Sequence, residues 1–256
     1  MLNFPERIKT APLGSTHLFS VGQAGFVLKS KNGQCLGLDL YLSDCVERSE
    51  GHDGYHRLLP KLLEPADVEF DAIIATHPHQ DHFDDDAIPA LMANGKTKLY
   101  ASVDCKKNIA QLAMGEENVV YVWPGACHSI GDFELDFINC DHGAGAPDAV
   151  GVIITVDQKR LLVVGDSCLR LDWTNEYLKN GSIDVMIAPI NGAYGNLNEA
   201  ECVELAKELH PNLTVPSHYG MFASHGGDPG VFCENMKTKC PSLKYKLMCQ
   251  GEGIIF

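Results

Sequence analysis

The stretch "ATHPHQDHFDDD", Ala75 to Asp86, sets three histidines and an aspartate within six positions at the end of an apolar run, "FDAIIATH". Each imidazole needs partners for two distinct nitrogens, so crowding several together is costly unless they share something. Alternate residues of an extended chain face the same way, which lets His77 and His79 aim at one point. Asp81 and His82 follow where the strand has ended and can turn toward a neighbouring point. Two adjacent metal ions suit that arrangement better than one, because a single ion cannot easily use four side chains at such short separation. This cluster closes neither coordination sphere, so further histidine or carboxylate ligands are expected at other strand ends.

Three residues meet that requirement. His142 in "NCDHGAG" follows the strand-like "FELDFI", Asp166 in "LLVVGDS" emerges after a strand and a glycine, and His218 in "VPSHYGMF" ends another strand. His128 in "GACHSIGDF" rivals His142 as third ligand of the first ion, although His142 follows a strand, as active-site loops do, and His128 precedes one. Arg170 and Tyr219 are candidate anchors for an anionic substrate group, and His225 in "SHGGDPG" is a candidate substrate contact. Asp39 in "LGLDL" reads as a partner supporting a ligand, whereas His52 and His56 lie in a polar loop and read as solvated.

The rest of the chain narrows the class. Its 256 residues carry a formal charge of −14, and no basic stripe is present to displace counterions from a nucleic acid. No apolar run approaches the ~18 residues of a membrane span, and the N-terminus lacks a signal-peptide core. Ten cysteines are scattered with no Cys-x-x-Cys pair, as in reduced cytoplasmic proteins. The expectation is a cytoplasmic protein acting on a small molecule, with no nucleic-acid or membrane partner and with a homo-oligomer left open.

Strand-like segments dominate. "HLFSVGQAGFVLKSKNGQCLGLDLYL" reads as two apolar segments joined through Asn32-Gly33, a dipeptide favoured in tight hairpin turns. "AVGVIITVDQKRLLVVGD" reads as two strands turning at Asp157-Gln158-Lys159. "GHDGYHRLLPKLLEP" reads as a loop, and Asp84 to Asp86 as capping carboxylates for a short helix at "AIPALMAN". "NEAECVELAKELH" is the strongest helix, with Asn198 and Glu201 placed as a capping box. Many strands with interspersed helices suggest sheet packed on sheet, helices outside, in an α+β fold.

Taken together, His77-Pro78-His79-Gln80-Asp81-His82 resembles the H-x-H-x-D-H signature of the metallo-β-lactamase superfamily. His142, Asp166 and His218 are similar to its remaining motifs, in the same order. The segments "VGQAGFVL", "GDS" and "HYGMF" look most like the branch containing L-ascorbate-6-phosphate lactonase. The resemblance covers nearly the whole chain. It implies one αββα sandwich domain over residues 1–256, with the site at one edge between two sheets. It further implies that His77, His79 and His142 hold one metal, that Asp81, His82 and His218 hold a second, and that Asp166 bridges them. Water shared by two ions would then be acidified and attack a carbonyl carbon or a phosphorus, Asp81 and Asp166 being the catalytic carboxylates. A thiolate-free set of this kind suits Zn²⁺, Mn²⁺ or Fe²⁺. The implied reaction is hydrolysis of a lactone or ester, with a phosphodiesterase or a non-catalytic metal-binding protein as the alternatives.

Overall fold

The computed structural model describes residues 2–112 and 114–256. The first sheet contains β1 (His17–Gly22), β2 (Gly25–Lys29), β3 (Cys35–Leu38), β4 (Ala72–Ala75), β5 (Lys98–Ser102), β6 (Val119–Val122) and the C-terminal β13 (Gly253–Ile255). The second contains β7 (Cys127–Ile130), β8 (Phe133–Asn139), β9 (Val150–Val156), β10 (Lys159–Val163), β11 (Val185–Pro189) and β12 (Leu213–Ser217). Their spatial orders are β13-β1-β2-β3-β4-β5-β6 and β12-β11-β10-β9-β8-β7. Each sheet is antiparallel on one side and parallel on the other, the parallel parts being β3 to β6 and β10 to β12.

Alternation along the strands builds the layers. Ala72 and Ile74 of β4, Val152 and Ile154 of β9, and Val185 and Ile187 of β11 point into one shared core between the sheets. Their neighbours Ile73 and Ala75 point to the outer face of the first sheet, and Ile153, Met186 and Ala188 to that of the second. Both faces of these strands are therefore covered, which is why they read as unbroken apolar runs. The outer face of the first sheet is covered by α1 (Phe4–Thr10), α4 (Ala87–Leu91) and α5 (Lys106–Gln111). The second is covered by α6 (Thr174–Leu178), α7 (Glu199–Leu209) and α8 (Pro229–Lys239), while α2 (Cys45–Glu50) and the single turn α3 (His52–Tyr55) lie in the connection after β3. The fold is the expected αββα sandwich.

Several expectations need correction in detail. The first apolar segment is two strands, because a second hairpin turns at Gln23-Ala24 between Gly22 and Gly25. Ser30 to Gln34, carrying Asn32-Gly33, joins β2 to β3 as expected. The "GHDGYH" stretch contains the turn α3 rather than loop alone. Of the expected capping carboxylates Asp84 to Asp86, it is Asp84 that supplies the side-chain cap of α4: its Oδ1 accepts from the amides of Asp86 and Ala87. Its Oδ2 accepts from Leu42 and Ser43, which ties the helix start to the chain after β3. The capping box of Asn198 and Glu201 is present on α7.

Candidate metal centre

All the expected ligand residues stand at one edge of the sandwich, at or just beyond strand ends. Thr76 and His77 follow β4, His142 follows β8, Asp166 follows β10 and His218 follows β12. Two backbone hydrogen bonds hold this edge together, Val150 N to Thr76 O and His218 N to Gln23 O. Gly165, immediately before Asp166, sits at φ +71°, and a Cβ there would come within 3.1 Å of the Val150 carbonyl and 3.2 Å of Cys140 Sγ. Glycine is thus needed to turn the chain and aim the carboxylate inward.

The first group comprises His77, His79 and His142. His79 Nδ1 lies 3.0 Å from His77 Nε2 and 3.0 Å from His142 Nε2. His77 has its other nitrogen, Nδ1, 3.1 Å from Thr76 Oγ1, and that hydroxyl donates to Asp39 Oδ2 at 2.8 Å. With Thr76's proton committed to Asp39, the hydroxyl oxygen accepts from His77 Nδ1–H, and His77 Nε2 is left as a bare lone pair. His79 Nδ1 can carry one proton and cannot satisfy both facing nitrogens. Converging lone pairs of this kind fit a cation at their centre.

The second group comprises Asp81, His82 and His218, with Asp166 beside it. His218 Nε2 is 3.2 Å from Asp81 Oδ2 and 3.1 Å from Asp166 Oδ2. His82 Nε2 is 3.4 Å from Asp166 Oδ1 and 3.3 Å from His218 Nε2. Asp166 also falls within one ligand-sized sphere with His77 and His82, so it borders both groups. His82 donates from Nδ1 to Asp39 Oδ2 at 2.9 Å, which leaves its Nε2 free to face inward. Every member of this second set is buried, and no thiol belongs to either set. An imidazole and carboxylate donor set fits a divalent ion of the Zn, Mn or Fe kind.

Burial and mutual charge shape the ionisation. Burial would raise the carboxyl groups of Asp81 and Asp166, yet the facing His82 and His218 hold both well below the usual carboxylate range. Burial opposes the charged form of His218, but Asp166 and Asp81 overcome it and raise the imidazole to about 9. His77 is pushed well down by burial and by His82, and burial lowers His142 to about 4. His77 and His142 of the first group are therefore held neutral, while the second group is a charged imidazole–carboxylate nest.

Several contributing residues were not legible in the sequence. Gln23 donates from Nε2 to Asp81 Oδ2 and to His225 Nδ1, both at 2.9 Å. Asn196 donates to Asp166 Oδ2 at 2.8 Å. Backbone strain is the signal that marks this region: of seven non-glycine residues with positive φ among the described residues, Gln23, Asp39, Tyr194 and His218 belong to it. Such conformations cost of order 1 kcal/mol or more each and persist where surroundings enforce them.

The remaining candidates are placed as follows. His225 stacks on His218 with ring centroids 5.1 Å apart and borders a cavity of about 430 Å³ onto which His79, Asp81, His142, Asp166 and His218 also open. Burial and His218 lower it to about 4, so at neutral pH it is uncharged. Because its Nδ1 accepts from Gln23, its Nε2 carries the hydrogen. Tyr219 faces away and lines a different cavity, with Leu59 and Met248. Arg170 is engaged by both oxygens of Asp172 and by Asp141, and its guanidinium lies 4.1 Å over Trp173. His128 packs beside Tyr100 and Phe137, outside both groups. His52 and His56 are exposed, as expected, but both are hydrogen-bonded through Nδ1 to Glu47.

Asp39 supports two of the candidate ligands, accepting from Thr76 N, Thr76 Oγ1 and His82 Nδ1. Asp39→Asn would turn an amide N–H toward one of these donors. Metal affinity is expected to fall by about 10–100-fold, the usual cost of losing such a support, in competition titrations against a chromogenic chelator.

Comparison with known proteins bears on the family and the fold. A model of the beta-lactamase superfamily domain matches residues 17–218. A metal-dependent hydrolase from Enterococcus faecalis is 29% identical over 203 residues, covering 74% of this chain and 83% of the relative. A protein from Salmonella heidelberg named as a probable L-ascorbate-6-phosphate lactonase is 24% identical over 289 residues, covering 94% of this chain and 79% of that one. Among solved structures, a metallo hydrolase from Ignicoccus hospitalis superposes with a TM-score of 0.75 at 20% identity, covering 94% of this chain and 98% of that one.

Proposed function

Since this chain belongs to the metallo-β-lactamase superfamily and is a metal-dependent hydrolase, we propose that it opens a small lactone or ester at a centre holding two divalent ions. In this reading His77, His79 and His142 hold one ion, Asp81, His82 and His218 hold the other, and Asp166 serves both. The observation that carries it is the opening of both groups onto one cavity of about 430 Å³, the size of a small-metabolite site. The chemistry supplied by divalent cations in such a site is acidification of water and neutralisation of oxyanion charge.

The chain's own groups then have defined tasks. Asp166 and Asp81 remain ionised through their histidine neighbours, and Asn196 and Gln23 fix their orientation. His225, neutral and held at Nδ1 by Gln23, presents Nε2–H to the cavity as a hydrogen-bond donor for a substrate oxygen. Residues 1–256 act as one domain in this proposal, the shared core between the sheets supporting it. Cytoplasmic residence is part of the same reading, supported by ten unpaired cysteines, and no helix among the described residues is long and apolar enough to cross a membrane.

Metal-loaded protein assayed against parallel panels of lactones, carboxylic esters and phosphodiesters tests the assignment. Turnover of lactones or esters, abolished by a chelator and restored by Zn²⁺ or Mn²⁺, is the expected result. Turnover confined to phosphodiesters would replace it with the phosphodiesterase alternative, and bound metal without turnover in any panel would leave a metal-binding protein.

A further inference from the structure

We propose that the part of the substrate lying outward from the metal centre is an uncharged, flat aromatic group, and that the cavity selects against phosphorylated metabolites. This inference rests on the lactone or ester reading above and deepens it. Beyond the imidazoles and carboxylates of the centre, the cavity wall is built from Val46, Tyr55, Pro78, Tyr194, Glu50 and the hydrogen-bonded pair Ser49–Gln80. No lysine or arginine lines it among the described residues. A phosphate recognised at such a distance from the reacting bond ordinarily meets an arginine, a lysine or a nest of backbone amides. Arg170, the cation joined through Asp141 to the His142 loop, is already held by two aspartates and stacked on Trp173.

What the wall offers instead is negative and aromatic. Glu50 belongs to the last turn of α2, where free carbonyls already carry partial negative charge. Its carboxylate has no ion-pair or hydrogen-bonding partner among the described residues, so it repels a second anion. In the same cavity wall, Tyr55 and Tyr194 join hydroxyl to hydroxyl at 2.9 Å. Their rings stand edge-on to His225, with centroids 6.2 and 5.4 Å away, making a wall of three rings. Tyr194 is 58% exposed and sits at φ +56°. A bulky side chain held in a strained backbone conformation with most of its ring in solvent gains little from core packing, and a ligand ring laid against it accounts for its placement.

The test compares dihydrocoumarin, an uncharged aryl lactone, with L-ascorbate 6-phosphate, using the metal-loaded wild type, Glu50→Lys and Tyr194→Ala. The wild type is expected to favour dihydrocoumarin by at least about tenfold in kcat/KM, a modest pocket discrimination. Glu50→Lys should raise the rate ratio of phosphorylated to uncharged lactone several-fold, and Tyr194→Ala should raise KM for dihydrocoumarin about tenfold with a smaller change in kcat. Preference of the wild type for the phosphorylated lactone, or an unmoved ratio in Glu50→Lys, overturns the inference and leaves the lactonase reading standing. If neither lactone is opened, the lactonase reading fails, and calorimetry with the lactam analogue of dihydrocoumarin decides the substrate class. Binding that Tyr194→Ala weakens sustains it, and absence of binding overturns it.

Discussion

Asp166→Ala is expected to reduce hydrolysis by about 10³-fold or more, equivalent to about 4 kcal/mol of lost transition-state stabilisation. The carboxylate is buried, borders both ligand groups, and lies within 3.4 Å of imidazole nitrogens on His82 and His218. No neighbour can replace it, because Asp81 already faces His218 and Asp39 is committed to Thr76 and His82. A second readout separates this role from simple misfolding. In ion-free protein Asp166 is the largest influence raising His218 to about 9 against its burial, so the His218 titration followed by NMR should move to lower pH in the variant. A variant that keeps most of its activity, or a His218 titration that stays in place, would remove Asp166 from the centre.

Stripping the metal with a chelator is expected to abolish turnover and to lower the melting temperature by roughly 10 °C. An ion present at about a thousand times its dissociation constant adds about 4 kcal/mol, and about 1 kcal/mol shifts a domain of this size by some 2–4 °C. The cause is local. Without a cation, His79 Nδ1 faces two imidazole nitrogens at 3.0 Å and can satisfy only one, while the buried second group must balance two carboxylates against two histidines. Calorimetric scans of stripped and reloaded protein check this. Equal melting temperatures would mean that the cluster is stable without ions and that no cation couples to the fold.

Much of the centre was legible because a coordination sphere restricts both residue type and spacing. His77, His79, Asp81 and His82 declare themselves through their short intervals, and His142, Asp166 and His218 through their places after strands. The layers were legible for a related reason: strands covered on both faces, such as "AIIA" of β4 and "VMIAP" of β11, cannot alternate with polar residues. What failed to show was whatever depends on direction or on distant meetings. Tyr219 follows His218 in sequence, but the chain leaves β12 at Ser217 and turns through His218 at φ +61°, which sends the next side chain into the other cavity. Arg170 carries the charge an anion would need, yet nothing in the sequence foretold its capture by Asp141 and Asp172.

Gln23 and the Tyr55–Tyr194 pair come from connections far apart in the chain and have no spacing that announces them. Helix α8 is hard to read from sequence for a different reason: glycines surround its start in "GGDPG", although Asp228 caps it and Pro229 occupies its first position, and Phe232, Met236 and Cys240 bury only one narrow stripe.

Anomalous diffraction from crystals of the metal-loaded protein tests the central claim most directly. Two peaks are predicted at the sandwich edge, one contacted by His77, His79 and His142, the other by Asp81, His82 and His218, with Asp166 reaching both. A single peak there, or metal bound only at Glu47, His52 and His56 after β3, would contradict it.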